Sequence, residues 1–140
     1  MADSLAQAVS QIDLGEPYYV ALSEFHDRFV AVEGTEARVA MLADEPRLTG
    51  NRRLDTLAAA LAHYLAGHHR LPAVPRWTRS NARILEEPWH TSSIGIDCAR
   101  EFLSDAMREY LTFSSPAEFV SRNIFTEERP LRRARGLPST

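Results

Sequence analysis

Residues 51–70 read NRRLDTLAAALAHYLAGHHR, and this stretch constrains the fold more than any other part of the chain. Leu54, Leu57, Ala58, Leu61, Tyr64 and Leu65 recur at three- and four-residue spacing, which puts them on one face of a helix. The alanines at 58, 59, 60, 62 and 66 carry the strongest helix preference of any residue. About five turns at ~1.5 Å per residue give a rod of roughly 30 Å. The segment stops at Leu71-Pro72, and the connection that follows holds Val74, Pro75, Arg76 and Trp77. A central helix over about 51–69, with the other elements packed around it, is the expectation. Its N-cap falls to Thr49 or Asn51.

Weaker periodicities flank it. Leu5, Ala8, Val9 and Ile12 predict a short helix over about 3–12, ended by Leu14-Gly15. Pro17 suits a first helical position, and Tyr18, Ala21, Leu22, Phe25, Phe29 and Val32 form an aromatic-rich stripe over 18–32. Gly34 closes that helix, and Thr35 is placed to cap a shorter one reaching about 43. Residues 80–87 predict one short helix ended by Pro88, and 89–93 read as a loop. Ile96, Ala99, Phe102, Leu103, Ala106, Met107, Tyr110 and Leu111 predict a second long helix over about 94–112. Ser115-Pro116-Ala117-Glu118 matches a capping box that opens a short helix to about 122. Thr126 is placed to cap a last turn through 134, with a frayed tail from about 136. Strand signals are weak, the best being 29–32 and 123–126. The expectation is an all-α chain forming a single compact domain, residues 1–140, of about five to seven helices.

With 140 residues, 44% apolar and 25% charged, the chain has the composition of an ordinary globular domain with a real core. No apolar run approaches the ~18 residues of a membrane span. The opening MADSLAQAVSQ lacks the basic and apolar regions of a secretory signal. With the single cysteine, Cys98, this makes the cytoplasm the expected location. The net charge of -3 disfavours a generally DNA-coating surface. All 16 basic residues are arginine, whose planar fork makes bidentate pairs that lysine does not.

No constellation announces a chemistry. His63 and His68 are five apart and do not share a helix face, so a metal site would need His26, His90 or Cys98 from elsewhere; there is no HExxH pattern. His68, His69 and Arg70 suit a helix C-terminus, where cations meet the negative end of the dipole. Cys98 stands alone and reads as a small core thiol rather than a nucleophile. The pairs Asp44-Glu45, Glu86-Glu87 and Glu127-Glu128 point in different directions and read as solvated faces. Glycines are scattered, with no phosphate loop, and no GxSxG elbow occurs. No metal or cofactor is therefore expected. Arg52-Arg53 opens the central helix at the end that disfavours cations, which suggests a partner for them in Asp55 or the Asp44-Glu45 loop. Arg129, Arg132, Arg133 and Arg135 crowd the C-terminus as a phosphate or acidic-protein patch, or as solvated surface. Trp77 and Trp89 lie in connections, where tryptophan serves either to pin a loop to the core or to anchor an interface.

Several segments taken together carry a resemblance: EPRLTGN from Glu45 followed by Arg53-Leu54-Asp55, the Ala/Leu helix running into His69-Arg70-Leu71-Pro72 with Pro75 and Trp77, Arg83-Ile84-Leu85 before EEPWH, and SPAEFVSRNIF with Leu131 and Arg133-Ala134. Over about 44–135 the chain resembles a group of small actinobacterial proteins of poorly defined function that look like partners of nucleotidyltransferase-type toxins. The resemblance implies an antitoxin-like or accessory module that acts by binding a protein partner. Some members carry a helix-turn-helix, and this chain shows no evident one before residue 44. The expected function is a non-catalytic protein-interaction module. The side chains nominated for partner contact are Arg52, Arg53, Trp77, Trp89, Arg122, Phe125, Arg132 and Arg133. The alternative is a DNA-binding regulator using the arginine clusters, with steep salt dependence.

Overall fold

The computed structural model describes residues 3–93, 96–97 and 104–126. The expected last turn after Thr126, the tail from 136, and Cys98, Arg132 and Arg133 lie outside the described residues. The described residues are predominantly helical, with six α-helices among them: α1 (Leu5–Asp13), α2 (Tyr18–Ala31), α3 (Thr35–Ala43), α4 (Arg52–His68), α5 (Asp105–Ser114) and α6 (Ala117–Val120). Short 3₁₀ turns occupy Arg76–Arg79 and Asn81–Arg83.

The helix α4 is the predicted central element, and it is more deeply enclosed than a one-sided stripe requires. Residues 54–62 are buried without interruption, followed by Leu65 and Ala66. A helix apolar on all sides belongs inside a protein, and the alanines at 58, 59, 60 and 62 let neighbouring backbone approach closely. Helix α1, both 3₁₀ turns and α6 pack on it. The stripe of α2 supplies Ala21, Leu22, Phe25 and Phe29 to the same core, with the Phe25 and Phe29 rings 5.8 Å apart.

Local capping explains both ends of α4. Asn51 Oδ1 accepts from the Leu54 amide at 3.2 Å, so Asn51 is the N-cap. At the other end the Leu71 amide donates to Ala66 O at 2.8 Å and the Arg70 amide to Gly67 O at 3.2 Å, the pairing of a Schellman cap. Arg70 sits in the left-handed region (φ 56°), where glycine is the usual occupant.

Several expectations are corrected. The second long helix does not start at 94. Residues Trp89–Ser93 form strand β1 and Ile96–Asp97 form β2, and the helix, α5, begins only at Asp105. Pro88 blocks helix entry before Trp89. Buried Trp89 and Thr91 then alternate with half-buried His90, a period of two. Ser104 takes the cap of α5, accepting from the Met107 amide at 3.0 Å, with Asp105 in the first turn where a carboxylate suits the dipole. The strand candidate at 29–32 is largely helical, whereas Ile124–Phe125 forms β3. The sheet order is β2-β1-β3: β1 and β2 are antiparallel, and β1 and β3 are parallel with Trp89 opposite Ile124 and His90 opposite Phe125. The predicted helix over 80–87 is reduced to the single turn Asn81–Arg83. Nor does Ser115 form a capping box with Glu118. Pro116 is the N-cap of α6, and the Ser115 hydroxyl bonds Leu111 O and both backbone groups of Thr126.

Leu61 is 1% exposed in the middle of α4. Leu61→Ala is expected to cost about 2–5 kcal/mol, read as a lower urea midpoint with an unchanged slope; a midpoint equal to wild type would remove α4 from the centre of the core.

Candidate functional site

The chemically distinctive region lies where the first turn of α4 meets the segment 76–89. The turn before α4 is held by Asp55. This aspartate is 4% exposed, and its carboxylate accepts from the Thr49 amide at 3.0 and 3.2 Å and from Thr49 Oγ1 at 2.9 Å. Gly50, at φ 88°, allows the sharp reversal between Thr49 and the cap. The Asn51 amide donates to Thr49 Oγ1 at 3.1 Å, so both candidate capping residues act in one network.

Arg83 reaches into this network and is 0% exposed. Its Nη1 donates to Asp55 O at 2.9 Å, and its Nη2 donates to Pro46 O at 2.6 Å and Glu45 Oε2 at 3.3 Å. The guanidinium carbon lies 4.8 Å from the centre of the Trp77 ring, a cation–π geometry. Its Nε–H has no acceptor among the described residues. One buried cation thus joins the loop before α4, the backbone of α4, the 3₁₀ turn Asn81–Arg83 and the tryptophan connection. Breaking such a pair leaves carbonyls and charge desolvated, which costs far more than a surface contact.

Arg52 and Arg53 lie over the same segment from the helix side. Both are exposed. Arg52 Nη2 donates to Asn81 O and Ile84 O at 3.1 and 3.0 Å, and its Nε also donates to Ile84 O. Arg53 stands 5.1 Å from the centre of the Trp89 ring. Of the expected partners, Asp55 or the Asp44-Glu45 loop, the Asp55 carboxylate accepts from Thr49 and the Glu45 carboxylate from Arg83.

A second staple closes the other side of α4. Arg122 is 6% exposed; its Nη1 donates to Glu118 O at 2.9 Å and to His63 Nδ1 at 3.1 Å, and its Nη2 donates to Thr78 O at 2.9 Å. Arginine only donates, so His63 Nδ1 accepts and its proton resides on Nε2. Burial lowers the Arg122 pKa, with Glu118 acting in the opposite direction. The His63 pKa is lowered by burial first and then by the Arg122 charge. That of His69 is lowered by burial and by Arg38, His68 and His26. Beside Arg122, Asn123 adopts φ 68° and holds the 85–89 segment at two points: its Nδ2 donates to Leu85 O at 2.8 Å, and its carbonyl accepts from the Trp89 amide at 2.9 Å.

Both tryptophans serve the core. Trp89 is 3% exposed. Half-buried Trp77 donates its Nε1–H to Leu42 O at 3.0 Å. Phe125 is half-buried and stacks on His90 at 5.1 Å. The nominated residues therefore fall into two groups. Arg52, Arg53, Trp77 and Trp89 gather at the α4 entrance, while Arg122 and Phe125 lie on the α6–β3 side. Among the described residues no group of three His, Cys, Asp or Glu side chains is placed to hold a metal ion, and no helix is long and apolar enough to cross a membrane.

One surface was not anticipated. Helix α5 buries only Leu111, while Met107, Tyr110 and Phe113 are 42%, 52% and 82% exposed. Their three-residue spacing puts them along one strip. In the sequence Met107 and Tyr110 read as part of a core stripe, whereas in the structure Leu111 alone of that stripe is buried within α5.

No family model, curated protein or solved structure matches the chain.

Arg83→Lys keeps the charge but removes the fork, so it should cost about 3 kcal/mol or more, measured by urea unfolding; a loss near zero would contradict the staple. The pH dependence follows from the two histidines. Their folded pKa values lie below the ordinary 6.5, so the unfolded chain binds more protons as pH falls through that window. Stability is full above 6.5 and declines below it, down to the folded values. The melting temperature of wild type should therefore fall more between about pH 7.5 and about pH 5.5 than that of His63→Asn, which keeps an acceptor but does not titrate. Equal falls would exclude His63.

Proposed function

We propose that the chain is a non-catalytic protein-interaction module, an antitoxin-like or accessory subunit that binds a protein partner. The observation that supports this reading is the strip on α5. A helix of ten residues gains little from its own hydrogen bonds and normally depends on packing of its apolar face. This one spends a single side chain on the core and presents two aromatics and a methionine outward. Aromatics and methionine are the residue types enriched at interface centres. The arginines Arg52, Arg83 and Arg122 support the same reading from the other direction. Each donates to acceptors within the chain, so their guanidiniums act as internal fasteners rather than as a phosphate-binding surface. The resemblance over about 44–135 makes a nucleotidyltransferase-type toxin the partner to try first.

The test is co-expression with the product of the neighbouring gene. The reading predicts a co-purifying complex and rescued growth. Phe113→Asp should weaken that complex by about 2 kcal/mol, roughly thirtyfold, without lowering the melting temperature. Absence of both complex and rescue would overturn the reading.

A further inference from the structure

A groove of about 370 Å³ opens between α3 and the connection leaving α4. We propose that it is a binding site for a small amphipathic carboxylate, a molecule with an aromatic or branched apolar body and one anionic end. The site is separate from the α5 strip, and the proposal does not depend on the interaction reading.

Three features carry it. The first is the wall. Leu42, Leu71, Val74, Pro75 and Trp77 make the lining largely apolar, and the volume lies in the range of small-molecule sites, enough for roughly a dozen non-hydrogen atoms.

The second is that the wall is built and held. Trp77 is fixed by its N–H bond to Leu42 O at 3.0 Å and by Arg83, 4.8 Å from its ring centre. Leu42 and Arg83 are both 0% exposed. Pro75 is fixed through its carbonyl, which accepts from Thr78 Oγ1 at 2.7 Å and from the Thr78 amide at 3.2 Å. A preformed pocket does not spend binding energy on ordering itself.

The third is the charge. Two ionised side chains border the groove, Glu45 and Arg76. The Glu45 carboxylate is matched by the Arg83 guanidinium at 3.3 Å, so that pair is neutral. The neighbouring Asp44 borders a different depression, shared with Asp3, Ser4 and Gln7 of the α1 end. Arg76 is exposed and makes no hydrogen bond or ion pair among the described residues. The uncompensated charge at an apolar groove is therefore one arginine fork, whose natural complement is a carboxylate.

The experiment uses the full chain, with 4-phenylbutyrate and its neutral isostere 4-phenylbutanamide as probes, followed by calorimetry and by Trp77-region amide shifts. Wild type should bind the carboxylate saturably, with a Kd of about 1 mM or tighter. Arg76→Gln should weaken the carboxylate about fivefold and leave the amide unchanged. Ala73→Trp, at an exposed position on the lining, should abolish binding of both, with melting temperature as the check on folding. The proposal is overturned if wild type shows no saturable carboxylate binding, if Ala73→Trp binds as wild type does, or if Arg76→Gln affects carboxylate and amide alike.

Discussion

A guanidinium removed from water forfeits several kcal/mol of hydration, and the loss is offset only where acceptors surround it in the right plane. Arg83 is fully enclosed, and the acceptors that meet it come from three places: Pro46 and Glu45 before α4, Asp55 within it, and the face of Trp77 after it. No single loop could satisfy that group. The connection of 44–50, the first turn of α4 and the segment 76–85 must therefore assume their positions together. The Asp55–Thr49 bonds and the Arg52 contacts to Asn81 and Ile84 complete the arrangement on either side. Arg122 repeats it at smaller scale, tying His63, Thr78 and Glu118.

This explains how a mostly helical chain accommodates a long stretch with little regular structure. Between His68 and Asp105 the described residues form only two 3₁₀ turns and two short strands. Such backbone carries carbonyls and amides that helices would satisfy internally. Here arginine forks and the Asn123 amide satisfy several of them. Lysine, with its single point of charge, is a poor substitute in these positions. The same fasteners shape the surface, because Arg83 backs the tryptophan that walls the groove beside α3.

The helical part of this architecture was legible in the sequence because its determinants are local. The spacing of Leu54, Leu57, Leu61 and Leu65, the Asn51 cap and the stop at Leu71-Pro72 each lie within a turn or two of what they specify. The strand at Trp89–Ser93 was not legible, since its alternation rests on a polar Thr91 whose burial is set by elements distant in sequence. The buried positions of Arg83 and Arg122 were not legible for the same reason. Arg83 lies 38 residues from Glu45 and Arg122 lies 44 from Thr78, and in the local sequence each resembles an ordinary solvated charge. The outward strip on α5 was not legible: spacing marks Met107 and Tyr110 as sharing a helix face, but which face meets the core is set by contacts distant in sequence. Of the nominated contact residues, Arg52 and Arg53 stand out for an adverse position at a helix N-terminus, and for Arg52 that tension is relieved by the carbonyls of Asn81 and Ile84.

The central claim is that the Arg83 guanidinium is desolvated and fixed in place. Nitrogen-15 NMR of arginine side chains tests it directly, by rotation about the bond to the guanidinium carbon and exchange of its N–H protons with water. A fixed, buried fork predicts separately resolved, slowly exchanging Nη signals for Arg83 at neutral pH, assigned by their loss in Arg83→Lys. A single averaged signal exchanging as fast as those of exposed Arg47 and Arg76 would contradict it.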